Sequence, residues 1–472
     1  MSKKDLYNKY EIWVVVSTII TLFLAIIADK ENGYEIIYLI PFSYLILFIL
    51  NKPMHKYSKM YKGMLILNGI LYIKYVVAIF FIIINEDYGK PIYTGTVPSE
   101  ESCMQAIIYI LIEMIFIFAT VFFLSGKFYK NMENDVEEKF EPIKINILLM
   151  IFLLVAMGLA LTNFSAFMPT QTLFIDQEYA ILQEERSNSL ELIFFALKTI
   201  LMGLIINQCI VKYQESRKTR YVFFSYITIL IHIILNTSTS RINMILPIVF
   251  FVMITYKIFG KKGRVLLGCT VFILILSVFS ITIYKNAWLF EKKEQNVLSI
   301  VKVLTSSVQE YTSGIRPVAQ GIEAILQYKK DISFSTFFND IFGAIPIVNK
   351  VFDNKDRINI YYNRYILGNT TKSSAMIMPM VTISAAYFSK VFCWLLSVIN
   401  IILLMYFDGK EINYKKNYLN KYMMLYLTFV FASSIYANTQ IIIGRIFTKF
   451  IPVVLIMYIN YRLTIKKENK YY

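Results

Sequence analysis

Long apolar runs separated by short polar segments set the pattern of this chain. Runs fall at 12–28, 34–50, 63–84, 104–125, 145–163, 190–211, 221–236, 242–258, 265–284, 385–407, 422–437 and 439–461. Most approach or reach the roughly 20 residues that carry a helix across a bilayer core. They predict an all-α, polytopic membrane protein of about twelve transmembrane helices. The first run follows Lys3, Lys4 and Lys9 without a small-x-small cleavage site, so it reads as an uncleaved helix.

The polar segments test that layout. Every second one is basic, beginning with Lys52, Lys56, Lys59 and Lys62, continuing through Lys212, Arg217, Lys218 and Arg220, and ending with the tail. The alternate short segments hold few cations, among them Lys30, Lys90, Arg186 and Arg241. By the positive-inside rule both termini are cytoplasmic. The chain then divides into nine helices over 1–284, a large outer loop over 285–384, and three helices with a cytoplasmic tail over 385–472. Within the loop, apolar positions recur at helical spacing over 296–327 and again over 332–351, predicting two amphipathic helices lying on the membrane.

Composition changes this picture little. The chain has 472 residues, 57% of them hydrophobic, and 48 Lys and Arg against 32 Asp and Glu, a net charge of +16. Those lysines flank apolar runs, so the charge reports topology and not nucleic-acid binding. Cys103, Cys209, Cys269 and Cys393 show no paired spacing, and His55 and His232 are the only histidines. Neither a disulfide frame nor a metal centre is predicted, and Asp353-x-x-Asp356 reads as a turn. No cofactor is implied.

The chemistry lies in charges placed within apolar sequence, which are costly and usually functional. Lys74 and Glu113 fall at similar depth on the third and fourth helices, as an ion pair that fixes packing would. Five cations have no such acid. Arg241 ends the short outer hinge 236–241, while Lys198, Lys390, Arg445 and Lys449 fall in the outer halves of helices six, ten and twelve. Arg445 and Lys449 share a face at i,i+4. Converged, they form a cationic, outward-facing chamber suited to an anion carried on a lipid. Arginine clamps oxyanions bidentately and lysine adds a point charge, so together they can stabilise a leaving diphosphate where a metal ion otherwise serves.

The layout of about twelve helices, the hinge ending Ser240-Arg241, and the loop passage containing Gly343-Ala344-Ile345-Pro346, Gly368-Asn369-Thr370, Pro379 and Tyr387-Phe388 resemble the Wzy-type O-antigen and capsular polysaccharide polymerases. The family usually carries glycines where Tyr387-Phe388-Ser389-Lys390 stands here. The resemblance implies an inverting glycosyl transfer at the outer face of the bacterial plasma membrane. A glycan leaves its polyprenyl diphosphate and joins a hydroxyl of an incoming lipid-linked repeat unit. Arg241 would hold the departing diphosphate with Arg445 and Lys449, inside a chamber that Lys198 and Lys390 complete. Arg316, Arg357 and Arg364 of the outer loop would hold the second diphosphate or the glycan, Tyr361 would stack on sugar, and Glu310, Glu323 or Asp340 would serve as base. The partners implied are a polyprenyl-diphosphate-linked oligosaccharide, membrane lipids, a chain-length regulator and a flippase. Two alternatives share the chamber. A lipid-linked oligosaccharide flippase should show two related halves, which this sequence lacks, whereas a lipid-linked glycan ligase shares the same leaving group.

Overall fold

The computed structural model describes residues 3–88, 96–129, 139–162, 188–235, 245–260, 308–346, 348–352, 356–368, 376–410 and 417–468, with 263, 268 and 272. These residues form helices joined by turns, with no strand among them. Six helices are long and apolar enough to cross a membrane: Lys9–Ile27, Lys62–Asn85, Glu100–Phe128, Leu192–Ser216, Lys390–Lys410 and Thr439–Thr464. Four shorter apolar helices, Leu39–Leu50, Ile147–Thr162, Thr219–Ile234 and Ile245–Gly260, stand at further predicted runs. Tyr418–Ala432 covers the eleventh, and the predicted ninth span, 265–284, lies outside the described residues apart from two isolated positions.

The chain folds as two compact units. The first comprises Met1–Met132, Lys293–Gly409 and Thr428–Gly444; the second comprises Glu133–Lys292, Lys410–Leu427 and Arg445–Tyr472. In the first unit, Lys74 donates to Glu113 at 2.8 Å, and both side chains are buried, as the equal depth of the two residues predicted. The second oxygen of Glu113 accepts from the Ser397 hydroxyl at 2.6 Å. Lys74 sits in a π-helical turn, Ile73–Val77, which interrupts the third span. Nearby, the buried Asp408 carboxylate accepts from the backbone amides of Gly63 and Met64, each at 2.9 Å, and from the Tyr129 hydroxyl at 3.0 Å. It caps the helix Lys62–Tyr72, whose first amides have no partner within the helix. Gly63 is required there, because a Cβ at that position would stand 2.6 Å from the carboxylate.

Two helices of the predicted outer-loop segment differ in what covers them. Ile315–Gln327 does not lie on a membrane surface; most of it is buried, packed on Glu100–Phe128 and on Ile358–Leu367. A Cβ on Gly321 would stand 2.9 Å from the Thr382 hydroxyl, so the glycine allows that close packing. Residues 301–307 lie outside the description. Phe334–Phe342, by contrast, keeps apolar side chains outward, with Phe334 and Phe338 exposed and Phe337, Phe342 and Phe352 continuing the aromatic cluster. A further break precedes the tenth span. Met380–Phe388 is a separate helix that ends at Ser389, whose φ of 85° is left-handed, and the span resumes through Lys390–Phe392.

In the second unit, Asn188–Ser216 and Thr219–Ile234 form an antiparallel pair through a two-residue joint in which Arg217 takes a left-handed φ of 53°. Ile147–Thr162 is joined to the last helix through Asn146, which donates its backbone amide to the Asn460 side-chain oxygen at 3.0 Å and its side-chain nitrogen to the Asn460 carbonyl at 3.1 Å. A second π-helical turn, Ile446–Phe450, carries Lys449.

Candidate functional site

Three of the five expected cations fall in the second unit. Lys198 is buried, and its ammonium donates to the Leu235 carbonyl at 3.3 Å, at the C-terminal end of Thr219–Ile234 where the helix dipole favours a cation. Leu235 immediately precedes the 236–241 hinge, which with Arg241 lies outside the described residues. The Lys198 ammonium stands 5.9 Å from the centroid of the Phe195 ring, and the Lys449 ammonium stands 5.3 Å from the same ring. Such contacts contribute roughly 0.5–2 kcal/mol each, and here one ring draws cations from two helices together. Arg445, half-buried and one turn before Lys449, lies within electrostatic reach of Tyr426. No Asp or Glu occurs in the sequence over 192–214, 219–234 or 439–467. His232 is a member that sequence reasoning missed. It is buried within electrostatic reach of Lys198, and its Nδ1 has no hydrogen-bond partner among the described residues. Its lone occurrence in an apolar run was the available signal.

The fifth, Lys390, falls elsewhere. It belongs to the first unit and is exposed in the 3-10 turn after Ser389, at the first residue of the apolar helix Lys390–Lys410. The left-handed Ser389 ends the preceding helix, and Ser384 holds the new start by accepting from the Leu396 amide at 3.2 Å while donating to the Phe392 carbonyl at 2.8 Å.

The residues of the predicted outer loop that belong to the first unit gather into three knots. Arg316 is wholly buried and donates to Asp87 at 2.6 Å and to Glu310 at 2.6 and 3.1 Å. Burial pulls the guanidinium pKa down, but the Glu310 and Asp87 carboxylates outweigh it and raise it. Gln309 completes the knot, accepting from the Arg316 amide at 2.7 Å and donating to the Asp87 carbonyl at 2.9 Å. This geometry gives Arg316 and Glu310 to each other, and it corrects the expectation of a glycan-binding arginine beside a free base.

Helix Ile358–Leu367 organises the second knot. Arg357, at its start, donates to the Gly343 carbonyl at 2.7 Å and so braces the end of Phe334–Phe342. Arg364 in its last turn lies 5.6 Å from the Tyr361 ring, which also meets Tyr328 at 5.3 Å. Tyr361 is therefore buried among protein rings, with its hydroxyl donated to Asp356 at 3.0 Å, and not presented to a sugar. Asp356 also accepts from Thr336 and Asn339, each at 3.1 Å, which accounts for this aspartate as a junction. Asp340 is buried alongside, accepting from the Tyr387 hydroxyl at 2.6 Å and the Ile358 amide at 3.2 Å. Burial pushes its carboxyl up to about 6 despite those bonds.

The third knot holds Glu323. Burial pushes this carboxyl up, but hydrogen bonds from the Tyr365 hydroxyl and from Ser99, whose amide donates at 2.6 Å, outweigh it and leave the pKa lowered.

Among the described residues no three His, Cys, Asp or Glu side chains cluster closely enough to hold a metal ion. Set against known protein families, curated proteins and solved structures, the chain finds no match.

Proposed function

We propose that this chain is a membrane glycosyltransferase that joins polyprenyl-diphosphate-linked oligosaccharide repeat units at the outer face of the bacterial plasma membrane. On this reading it crosses the membrane about twelve times with both termini cytoplasmic. The supporting observation is the meeting of Lys198 and Lys449 at Phe195, with Lys198 bonded to the residue that precedes the Arg241 hinge. Cations held in apolar surroundings stabilise an oxyanion far more than they would in water.

In the reaction the acceptor hydroxyl oxygen attacks the anomeric carbon, the bond from that carbon to the diphosphate oxygen breaks, and the hydroxyl proton passes to a base. The departing diphosphate is assigned to Arg241, Arg445, Lys449 and Lys198, which here take the part a metal ion plays in many sugar transferases. Of the three carboxylates expected as base, Asp340 is raised to about 6, whereas Glu310 is hydrogen-bonded to Arg316 and the Glu323 carboxyl is lowered. A base acts best when its pKa lies near the working pH.

Purified protein supplied with lipid-linked repeat units should return a ladder of lengthened glycans, Arg241→Ala should abolish it, and Lys449→Ala should slow it roughly 100-fold. Movement of the substrate across a vesicle membrane without lengthening would replace this reading with transport. Transfer of one finished glycan to an unrelated acceptor would replace it with ligation.

A further inference from the structure

A second anion site, independent of the chemistry above, stands in the first unit where two apolar helices end. Leu39–Leu50 stops at Asn51, whose side chain has two tasks. Its oxygen accepts from the Met54 amide at 3.0 Å, capping the short helix Lys52–Ser58, and its nitrogen donates to the Phe118 carbonyl at 2.8 Å. The short helix is thereby fixed beside the last turns of Glu100–Phe128. Between them lies a pocket of about 370 Å³, with Lys52 and Lys56 on one wall and Phe122 and Phe123 on the other.

Each wall has a recognisable chemistry. No acidic residue lines the pocket, and the Lys56 ammonium is held 5.4 Å from the Tyr57 ring. Phe122 and Phe123 are 48% and 73% exposed, which suits acyl chains and not water. The Ser125 hydroxyl, buried at the pocket's edge, has no hydrogen-bond partner among the described residues, whereas Thr120 on the same helix donates to the Phe116 carbonyl at 2.7 Å. Gly126 also lines the pocket, and a Cβ built on it meets nothing within 4 Å.

Position supplies the remaining argument. Glu100–Phe128 has 29 residues, with Glu100 and Glu101 in its first turn and Lys127 in its last. At 1.5 Å per residue it is roughly 43 Å long, against about 30 Å for the hydrocarbon core, so its ends emerge among headgroups. A lysine pair at that depth beside outward aromatic rings matches a lipid phosphate above its own acyl chains.

We propose that this pocket binds one anionic phospholipid, its phosphate between Lys52 and Lys56 and an acyl chain along Phe122 and Phe123. Free phosphate would use only the first wall, and a zwitterionic lipid would bring a choline into a pocket without a carboxylate.

Native mass spectrometry of the full-length protein, titrated with phosphatidylglycerol, phosphatidylcholine of the same chains, or inorganic phosphate, tests the proposal. One phosphatidylglycerol should bind at least tenfold more tightly than either comparator. The double variant Lys52→Gln/Lys56→Gln should lose that preference, and Gly126→Phe should block the site with both lysines in place. Lys59→Gln is the control, since Lys59 pairs with Glu11 and does not line the pocket. Melting temperatures show that each variant is folded. Equal binding of the two lipids, inorganic phosphate binding as tightly as the lipid, or retention of the preference in folded Lys52→Gln/Lys56→Gln would each overturn the assignment.

Discussion

Two π-helical turns, Ile73–Val77 and Ile446–Phe450, each place a lysine within apolar sequence, and the two lysines have opposite surroundings. Lys74 meets a carboxylate at 2.8 Å that is itself bonded by Ser397, so its charge is cancelled and buried. Lys449 is half-buried over a shared aromatic ring, in a helix with no acidic residue before Glu468. A π turn widens the helix by one residue and re-aims the side chains around it, a device common at functional sites. The contrast teaches that the same turn can present a lysine to a buried carboxylate in one helix and to an aromatic ring in another.

The sharpest way to break this comparison is to remove the carboxylate. Glu113→Gln leaves the Lys74 charge buried without its counterion and should cost about 3–5 kcal/mol, read as a lower unfolding midpoint in detergent. Lys74→Met combined with Glu113→Leu should recover most of that loss. Lys449→Ala should cost no more than about 2 kcal/mol, while slowing glycan elongation roughly 100-fold. Comparable destabilisation by Lys449→Ala would make both lysines packing devices.

Next in size is the cap at Lys62–Tyr72. Gly63→Ala sets a methyl against the Asp408 carboxylate, and Asp408→Leu strands two amides and the Tyr129 hydroxyl. Each should cost about 1–3 kcal/mol in the same melts.

A smaller effect follows pH. Burial raises the Asp340 carboxyl from its ordinary 3.8 to about 6, so the folded protein holds this proton more tightly than the unfolded chain. The stability it contributes is full below its ordinary value and is lost as pH rises through about 6. Glu323 has the opposite sign, since its lowered carboxyl loses its contribution only as pH falls below the ordinary range. Melting temperature should therefore fall between about pH 4 and about pH 6, and Asp340→Asn should flatten that fall. Smallest of all, Lys390→Ala on the exposed turn should change stability by less than about 0.5 kcal/mol and leave elongation intact.

What was legible in the sequence was whatever follows from spacing along one helix. Apolar length pointed to the six helices long enough to cross a membrane, and equal depth paired Lys74 with Glu113. Contacts made across turns were hidden. Arg316 meets Glu310 only because the chain reverses at Thr312–Gly314, and Asp87 arrives from a segment more than 200 residues away. Amphipathicity shows that a helix has an apolar face but not what covers it, so Ile315–Gln327 read as a membrane-surface helix although protein surrounds it. The break at Ser389 was equally silent, since no glycine or proline marks that left-handed residue.

The cap from Asp408 also sets a timetable. The amides it receives belong to a helix made early, while the carboxylate follows 345 residues later. At ribosomal speeds of about 10 residues per second the gap is on the order of half a minute. During that interval the leading turn of Lys62–Tyr72 lacks its carboxylate cap, and the first unit is complete only once Thr428–Gly444 has followed.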